Sequence, residues 1–491
     1  MNISNQIIRN CKYLSEFITV PPSHCLINKG ITGCGGTTLE LEAPRDSIIL
    51  CPTKNLVTSK SALGYFGVTG DVTKSEIESY IHSSIKYKKI VATYDALKRL
   101  IEIIPNYREY FLLIDEYHLL FNDYSLRSDA ILYILNNFQS FNDWAFLTAT
   151  PLKDEFILDE LKDVDQVNYI WDNAVAVSLN IRDTYYVQKE LLNLMSIYKD
   201  RNLHIFLNSV STIYKIIEKL DTDDFRVVCS ENSKTKVRNF SKITDPVRHI
   251  NFYTSCAFEG CDIYDEDGYC IIISDTNIAT TVLDITTKVR QVCGRLRDSK
   301  YKDEVTIILN TNKHRYAGTT KTEFLNIVKD SEDLGKVKEN QFRNATYREK
   351  EAELRLYNRE MYSSLYLNKY NGEIFYDVNL KKLDLYNYDL ISEIYSNSIS
   401  VLTEAKKTGF KVSTPIETNK KGLDWVRDKL KELDKKEYTY KELEEIFKPM
   451  FQEKGIKWNS KTSIKNYFPN FKKAKKRNNG EQKLYYTFNI L

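Results

Sequence analysis

The sequence predicts an α/β protein made of two successive parallel-sheet domains, a helical connector and a small basic C-terminal domain. Three observations predict this. Short, continuous apolar runs recur at 48–51, 90–93, 111–114 and 145–148, and again at 205–207, 227–229, 250–253, 270–273 and 305–309. Continuous runs of this length suit strands buried on both faces, which means a parallel sheet flanked by helices. The runs fall into two series of about 150 residues each, an ordinary domain length. The charge is uneven: residues 411–491 hold 20 Lys and Arg against 11 Asp and Glu, although the whole chain carries only +3.

The elements follow in order. Residues 1–175 form the first domain, with an apolar stretch at 25–27 before a glycine-rich loop and the first strand series behind it. Residues 176–325 hold the second series, with the boundary near 172–185. Residues 326–415 are a helical or mixed connector, with charged helical sequence at 336–357, a hairpin signal at Asn371-Gly372 and a helix at 387–407. Residues 416–491 carry amphipathic helices at 424–433 and 440–452 and a short helix at 461–467 capped by Ser460. A hairpin then joins 471–474 to 483–488 through Asn478-Asn479-Gly480. Three helices followed by a hairpin read as a winged helix.

Composition removes several classes. With 42% hydrophobic and 28% charged residues, the 491-residue chain has a globular balance. There is no run of about 18 apolar residues, so no membrane span is expected. The polar start, 1–13, lacks an export-type apolar core. The nine cysteines and six histidines show no CxxC or HxxxH pair, so zinc is not expected. Reduced, buried cysteines in a cytoplasm are expected, the host's if the source is viral. The chain is expected to act as a monomer.

The chemistry gathers in a few motifs. Gly30-Ile31-Thr32-Gly33-Cys34-Gly35-Gly36-Thr37-Thr38 is close to the phosphate-binding pattern G-x-x-x-x-G-K-[ST]. Its glycines let backbone N–H groups turn toward phosphate oxygens, and Thr37 stands where a hydroxyl would meet Mg²⁺. Gly36, however, occupies the place of the lysine that normally neutralises the β- and γ-phosphates. An apolar run ending in Asp115-Glu116-Tyr117-His118 suits metal binding at Asp115 and activation of water by Glu116. Thr148-Ala149-Thr150 follows the next apolar run and is placed to link this site to the second domain.

In order and spacing, residues 25–300 resemble the superfamily 2 helicases of the DExH type. Cys51-Pro52-Thr53-Lys54 looks like motif Ia, and Ala92-Thr93-Tyr94-Asp95-Ala96-Leu97 like the following nucleic-acid-contacting segment. Thr148-Ala149-Thr150 is similar to motif III, Ile205-Phe206-Leu207-Asn208-Ser209 to motif IV and Phe258-Glu259-Gly260-Cys261-Asp262-Ile263 to motif V. Gln291-Val292-Cys293-Gly294-Arg295-Leu296-Arg297 is similar to motif VI, with its second arginine two residues after the first instead of three.

The resemblance implies two RecA-like domains with ATP and Mg²⁺ in the cleft between them. Nucleotide binding falls to Lys29, Gly30, Thr32, Gly33, Gly35, Gly36, Thr37, Thr38 and Asp262. Arg295 becomes the arginine finger, with Arg297 in support and Gln291 as a sensor. His118, Thr148 and Thr150 couple the site to movement. Thr53, Lys54, Thr93 and Thr254 line the nucleic-acid track. A phage or mobile-element source fits the residue usage.

Gly36 leaves three readings open. The cleft is inactive, another cation such as Lys29 substitutes, or Mg²⁺ and Arg295 carry more of the charge. A working nucleoside triphosphatase is favoured, because the acids and the motif VI arginines are all present. Residues 454–480 hold nine Lys or Arg and no acid, among them Lys461, Lys465, Lys472, Lys473, Lys475, Lys476 and Arg477. Such density supplies phosphate contacts. The expected function is therefore an ATP-dependent DNA helicase or translocase in replication, recombination or fork remodelling. The alternatives are a non-hydrolysing nucleic-acid-binding protein on the same scaffold and an RNA helicase.

Overall fold

In a computed structural model of the chain, strands and helices alternate along the first 171 residues. The structure describes residues 2–311, 319–418, 426, 429–430, 432–433, 437–453, 458, 471–478 and 481–488. The first domain holds β1 (Ile3–Ile8), β2 (Cys25–Asn28), β3 (Ser47–Cys51), β4 (Phe66–Val68), β5 (Lys89–Thr93), β6 (Phe111–Asp115), β7 (Asp143–Thr148) and β8 (Asp165–Trp171). They form one sheet in the order β1-β8-β2-β7-β6-β3-β5-β4. Every pairing is parallel. The central strands β3, β5 and β6 are buried along their whole length, which explains their unbroken apolar sequence. Their C-terminal ends point at one edge, where loops collect the site residues, as expected for an open parallel sheet.

The second domain opens with β9 (Ser178–Thr184), β10 (Asn202–Phe206), β11 (Phe225–Val228), β12 (Ile250–Tyr253), β13 (Gly268–Asp275) and β14 (Glu304–Asn310). After a long helix, Lys321–Asn344, and a shorter one, Tyr347–Arg355, comes the antiparallel hairpin β15 (Leu367–Tyr370) and β16 (Glu373–Tyr376). Asn371 and Gly372 turn it with φ of 49° and 79°. Left-handed values at both central residues are what a two-residue hairpin turn needs. The chain then returns to the second sheet as β17 (Lys411–Val412) and β18 (Ile416–Thr418), both parallel to β9. The second sheet runs β11-β12-β10-β13-β14-β9-β17, with β18 also on β9. Two eight-stranded parallel sheets flanked by helices make this the tandem RecA-like architecture expected from the sequence.

Several local expectations shift. The polar start of the chain carries β1, an edge strand paired only with β8. The helix expected at 387–407 is interrupted: Val378–Tyr388 passes into a wider turn, Asp389–Glu393, and a new helix, Ser398–Lys407, starts at the Asn397 cap. Asn397 takes up a free N–H at that helix start, which is why the chain breaks there. The charged stretch at 336–357 is two helices parted at Ala345, because Thr346 and Glu349 form a capping box that begins the second. The second sheet does not close by residue 325, since residues 411–418 complete its edge.

At the C-terminus, β19 (Glu437–Thr439), the helix Tyr440–Glu453, β20 (Phe471–Asn478) and β21 (Glu481–Phe488) form a unit with strand order β19-β21-β20. Val426, Leu430, Leu443, Phe447, Phe451 and Tyr486 build its core. The expected hairpin is present and longer than its apolar signal. The expected helix at 461–467 lies outside the described residues, as does most of that at 424–433. No helix among the described residues is long and apolar enough to cross a membrane.

Candidate functional site

The glycine loop leaves β2 at Asn28 and ends at the helix Gly36–Glu42. Gly30, Gly33 and Gly35 all have φ between 75° and 81°, so the loop curls in a way β-carbons resist. Gly33 has a further reason to be glycine: a Cβ there would collide with the guanidinium of Arg297 from the second domain. Thr32 abuts Gly294 in the same manner. Arg290 Nη2 donates to the Gly30 carbonyl at 2.8 Å. The motif VI segment therefore sits directly on the loop.

Asp115 and Glu116 stand at the C-terminal end of β6, both buried. Thr37 Oγ1 donates to Asp115 Oδ2 at 2.7 Å. Glu116 has φ of 51°, a left-handed backbone that a glutamate adopts only under constraint. Strain held in this way gathers at functional positions. The buried Tyr94 hydroxyl helps to hold it, donating to the Asp115 carbonyl at 2.6 Å and reaching the Glu116 carbonyl at 3.2 Å.

The Glu116 carboxylate is gripped from both domains. Lys29 Nζ donates to Oε1 at 3.0 Å, while Thr148 Oγ1 (3.2 Å) and Gln291 Nε2 (2.8 Å) donate to Oε2. Gln291 Nε2 also reaches Thr150 Oγ1 at 3.0 Å. Arg295 steers that carboxamide, with Nη2 at 3.3 Å from Gln291 Oε1, while its Nη1 donates to the Cys261 carbonyl at 3.1 Å. Arg297 is the arginine over the glycine loop, and Asp262 Oδ1 accepts from its Nε at 2.6 Å. His118 Nδ1 lies 2.8 Å from Thr148 Oγ1. That hydroxyl already donates to Glu116, so the hydrogen-bond network assigns the proton to His118 Nδ1. Burial pushes the His118 ring down to about 3, which keeps it neutral.

Lys29 is buried, and desolvation alone would lower its basicity. The Glu116 and Asp115 carboxylates outweigh burial and hold its ammonium above the ordinary lysine value. Asp115 moves up, because burial exceeds the help it receives from Lys29. Lys29 is also fixed through its backbone: its N–H donates to the Thr148 carbonyl at 2.8 Å, and Trp171 Nε1 donates to its carbonyl at 2.7 Å.

Lys29, the loop glycines, Thr37, Asp115, Glu116, Arg295 and Arg297 face a cleft of about 1060 Å³, whose wall also includes Thr38 and Asp262. The donor set fits Mg²⁺: one hydroxyl and one carboxylate are hard oxygen ligands, and such an ion keeps water and takes phosphate oxygens for the rest. Among the described residues, no cluster of three or more His, Cys, Asp or Glu could hold a metal by itself.

The expected nucleic-acid residues are spread more widely. Thr53 caps the helix Lys54–Ser61, accepting from the Leu56 N–H, and Lys54 lies exposed 3.6 Å from Asp71. Thr93 is buried. Thr254 lines a separate recess of about 730 Å³ with Ser209, Lys215 and Lys236. Lys473 and Lys475 are exposed on β20, which also carries Lys472, Lys476 and Arg477. Lys461 and Lys465 lie outside the described residues.

Sequence reasoning missed Tyr94, Trp171 and Arg290 as site residues. Tyr94 stands inside the 92–97 segment and Arg290 directly before the 291–297 motif, but Trp171 carries no local signal. Glu259 adds a buried carboxyl at the interface, pushed up to about 7 by burial. Its Oε1 has no hydrogen-bond partner among the described residues. A raised carboxyl contributes its full stability below the unfolded value of about 4.5 and loses it as pH rises through about 7. Glu259→Gln is therefore expected to gain on the native protein by up to about 3 kcal/mol between pH 4.5 and 8. Denaturant midpoints at several pH values check this, and a pH-independent difference would contradict it.

No family model matches the chain, and no curated protein does. Several solved structures are similar to the chain at low identity. A Saccharomyces cerevisiae Dbp5 variant bound to RNA and ADP-BeF3 shares 13% identity over 64% of this chain and 83% of its own, with a TM-score of 0.40. XPD in its apo form shares 12% over 61% and 95%, at 0.34. A hypothetical ATP-dependent RNA helicase from Sulfolobus tokodaii shares 15% over 61% and 92%, at 0.26.

Proposed function

We propose that the chain is an ATP-dependent motor on nucleic acid, a superfamily 2 type helicase or translocase of the DExH kind with DNA as its track. The observation that carries the proposal is the meeting at Glu116. One strained, buried carboxylate accepts hydrogen bonds from Gln291 of the second domain and from Lys29 and Thr148 of the first. A group held from both sides of a cleft can report chemistry on one side to movement on the other.

In this reading the nucleoside triphosphate lies along the glycine loop, and Glu116 orients and deprotonates the attacking water. Thr37 and Asp115 hold Mg²⁺, which when bound neutralises charge on the phosphates. Arg295 and Arg297 bring cationic charge from the second domain. Gln291 and Thr150 transmit the state of Glu116 across the interface, with His118 and Thr148 keeping the carboxylate aimed. The basic strand β20 adds an anchor on phosphates, and the winged-helix reading of residues 416–491 is what favours DNA.

Strand displacement tests the function directly. Labelled DNA and RNA duplexes with single-stranded tails are incubated with the protein, with and without ATP. ATP-dependent separation of the DNA duplex is the expected result. Separation of RNA alone would move the track to RNA. Tight binding without separation or ATP turnover would leave a binding protein on a helicase scaffold.

A further inference from the structure

Resting on that reading, we infer that Lys29 is the phosphate-neutralising lysine of this site, relocated from position 36 to the residue before the glycine loop. The position where that lysine is ordinarily found cannot easily carry one here. A Cβ on Gly36 would stand 3.0 Å from Leu147 Cδ2 and 3.1 Å from Lys29 Cδ. The second of these distances carries the inference: the Lys29 stem runs alongside Gly36, through space that a side chain on residue 36 would enter. The small residue and the displaced cation are two halves of one arrangement.

The ammonium ends where the chemistry needs it. Lys29 Nζ lies 3.0 Å from Glu116 Oε1 and 3.8 Å from Asp115 Oδ1, on the cleft wall shared with the loop glycines and Thr37. Among the described residues, Lys29 is the lysine or arginine within ion-pair distance of either acid. An ammonium has three donors. One is used on Glu116, which leaves donors for phosphate oxygens. Its backbone is pinned on both sides of the α-carbon, the N–H by Thr148 and the carbonyl by Trp171, so the side chain starts from a fixed point. A compact charge on a flexible stem can then move from Glu116 to an incoming terminal phosphate and free the carboxylate for water.

The test moves the charge. Wild type, Lys29→Met, Lys29→Arg and the double variant Lys29→Ala/Gly36→Lys are compared for binding of fluorescent ATP, ADP and AMP analogues and for phosphate release. Thermal melts check that each protein folds. Lys29→Met is expected to lose the preference for triphosphate over monophosphate and to release phosphate roughly 100-fold more slowly. Lys29→Arg is expected to keep most of the triphosphate preference. The double variant, with the Lys29 stem cut back to its β-carbon and a lysine restored at 36, is expected to regain triphosphate binding. Folded Lys29→Met with wild-type affinity and turnover would overturn the inference while leaving the motor reading intact. A wild type that neither binds nor hydrolyses any nucleotide would overturn both.

Discussion

Glu116→Gln is expected to lower ATP turnover by roughly 10²- to 10⁴-fold while nucleotide affinity changes little. Glutamine keeps the shape of the side chain and can still accept from Lys29 through its carbonyl, but it cannot take a proton from water. It would meet the same left-handed backbone at φ 51°, so the comparison isolates the carboxylate from the backbone strain. Steady-state phosphate release and equilibrium binding of a fluorescent nucleotide separate the two effects. Turnover within a few-fold of wild type would remove Glu116 from the chemistry, and the cross-cleft contacts would then be packing alone.

Arg295→Lys is expected to lower turnover by roughly 10³-fold, with a smaller effect on nucleotide binding. Arg295 is buried and works as a fork, reaching the Gln291 backbone carbonyl at 2.8 Å, the Gln291 side chain at 3.3 Å and the Cys261 carbonyl at 3.1 Å. A lysine cannot span those acceptors with fixed geometry. The substitution keeps a positive charge on the second domain's face of the cleft but loses the planar fork, and it releases the carboxamide that touches Glu116 and Thr150. A thermal melt alongside the kinetics separates this loss from unfolding. If Arg297→Ala proved far more damaging than Arg295→Lys, Arg297 over Gly33 would take the finger role instead.

The sheets were legible because their central strands are apolar on both faces. The edges and their neighbours were not. In β1, Ile3 and Ile7 are exposed and the strand is held by backbone pairing to β8, so it carries no apolar run. β8 mixes buried, half-buried and exposed positions, and β9 alternates half-buried and buried ones as far as Asp183, which breaks the run that marks β3 or β6. β17 and β18 are two and three residues long and join β9 from more than 200 positions away, a pairing no local pattern announces.

In the site, the motifs name most of the residues that meet. Asp115, Glu116, Thr148, Thr150, Gln291 and Arg295 converge as their order along the chain implies. What the sequence withholds is orientation. It says that position 36 lacks a lysine and that Lys29 is near in sequence. It cannot say that the Lys29 stem passes beside Gly36 or that Tyr94 holds both carbonyls of the acidic pair. Those facts depend on where β2, β5 and β6 lie in one sheet, and Trp171 reaches the loop only through β8.

The most direct test is phosphate release from ATP by the purified protein with Mg²⁺, measured while single-stranded nucleic acid is titrated and with Glu116→Gln alongside. The account predicts turnover that rises with nucleic acid and disappears in the variant. No turnover at any nucleic-acid concentration, from a protein that still binds the strand, would contradict it.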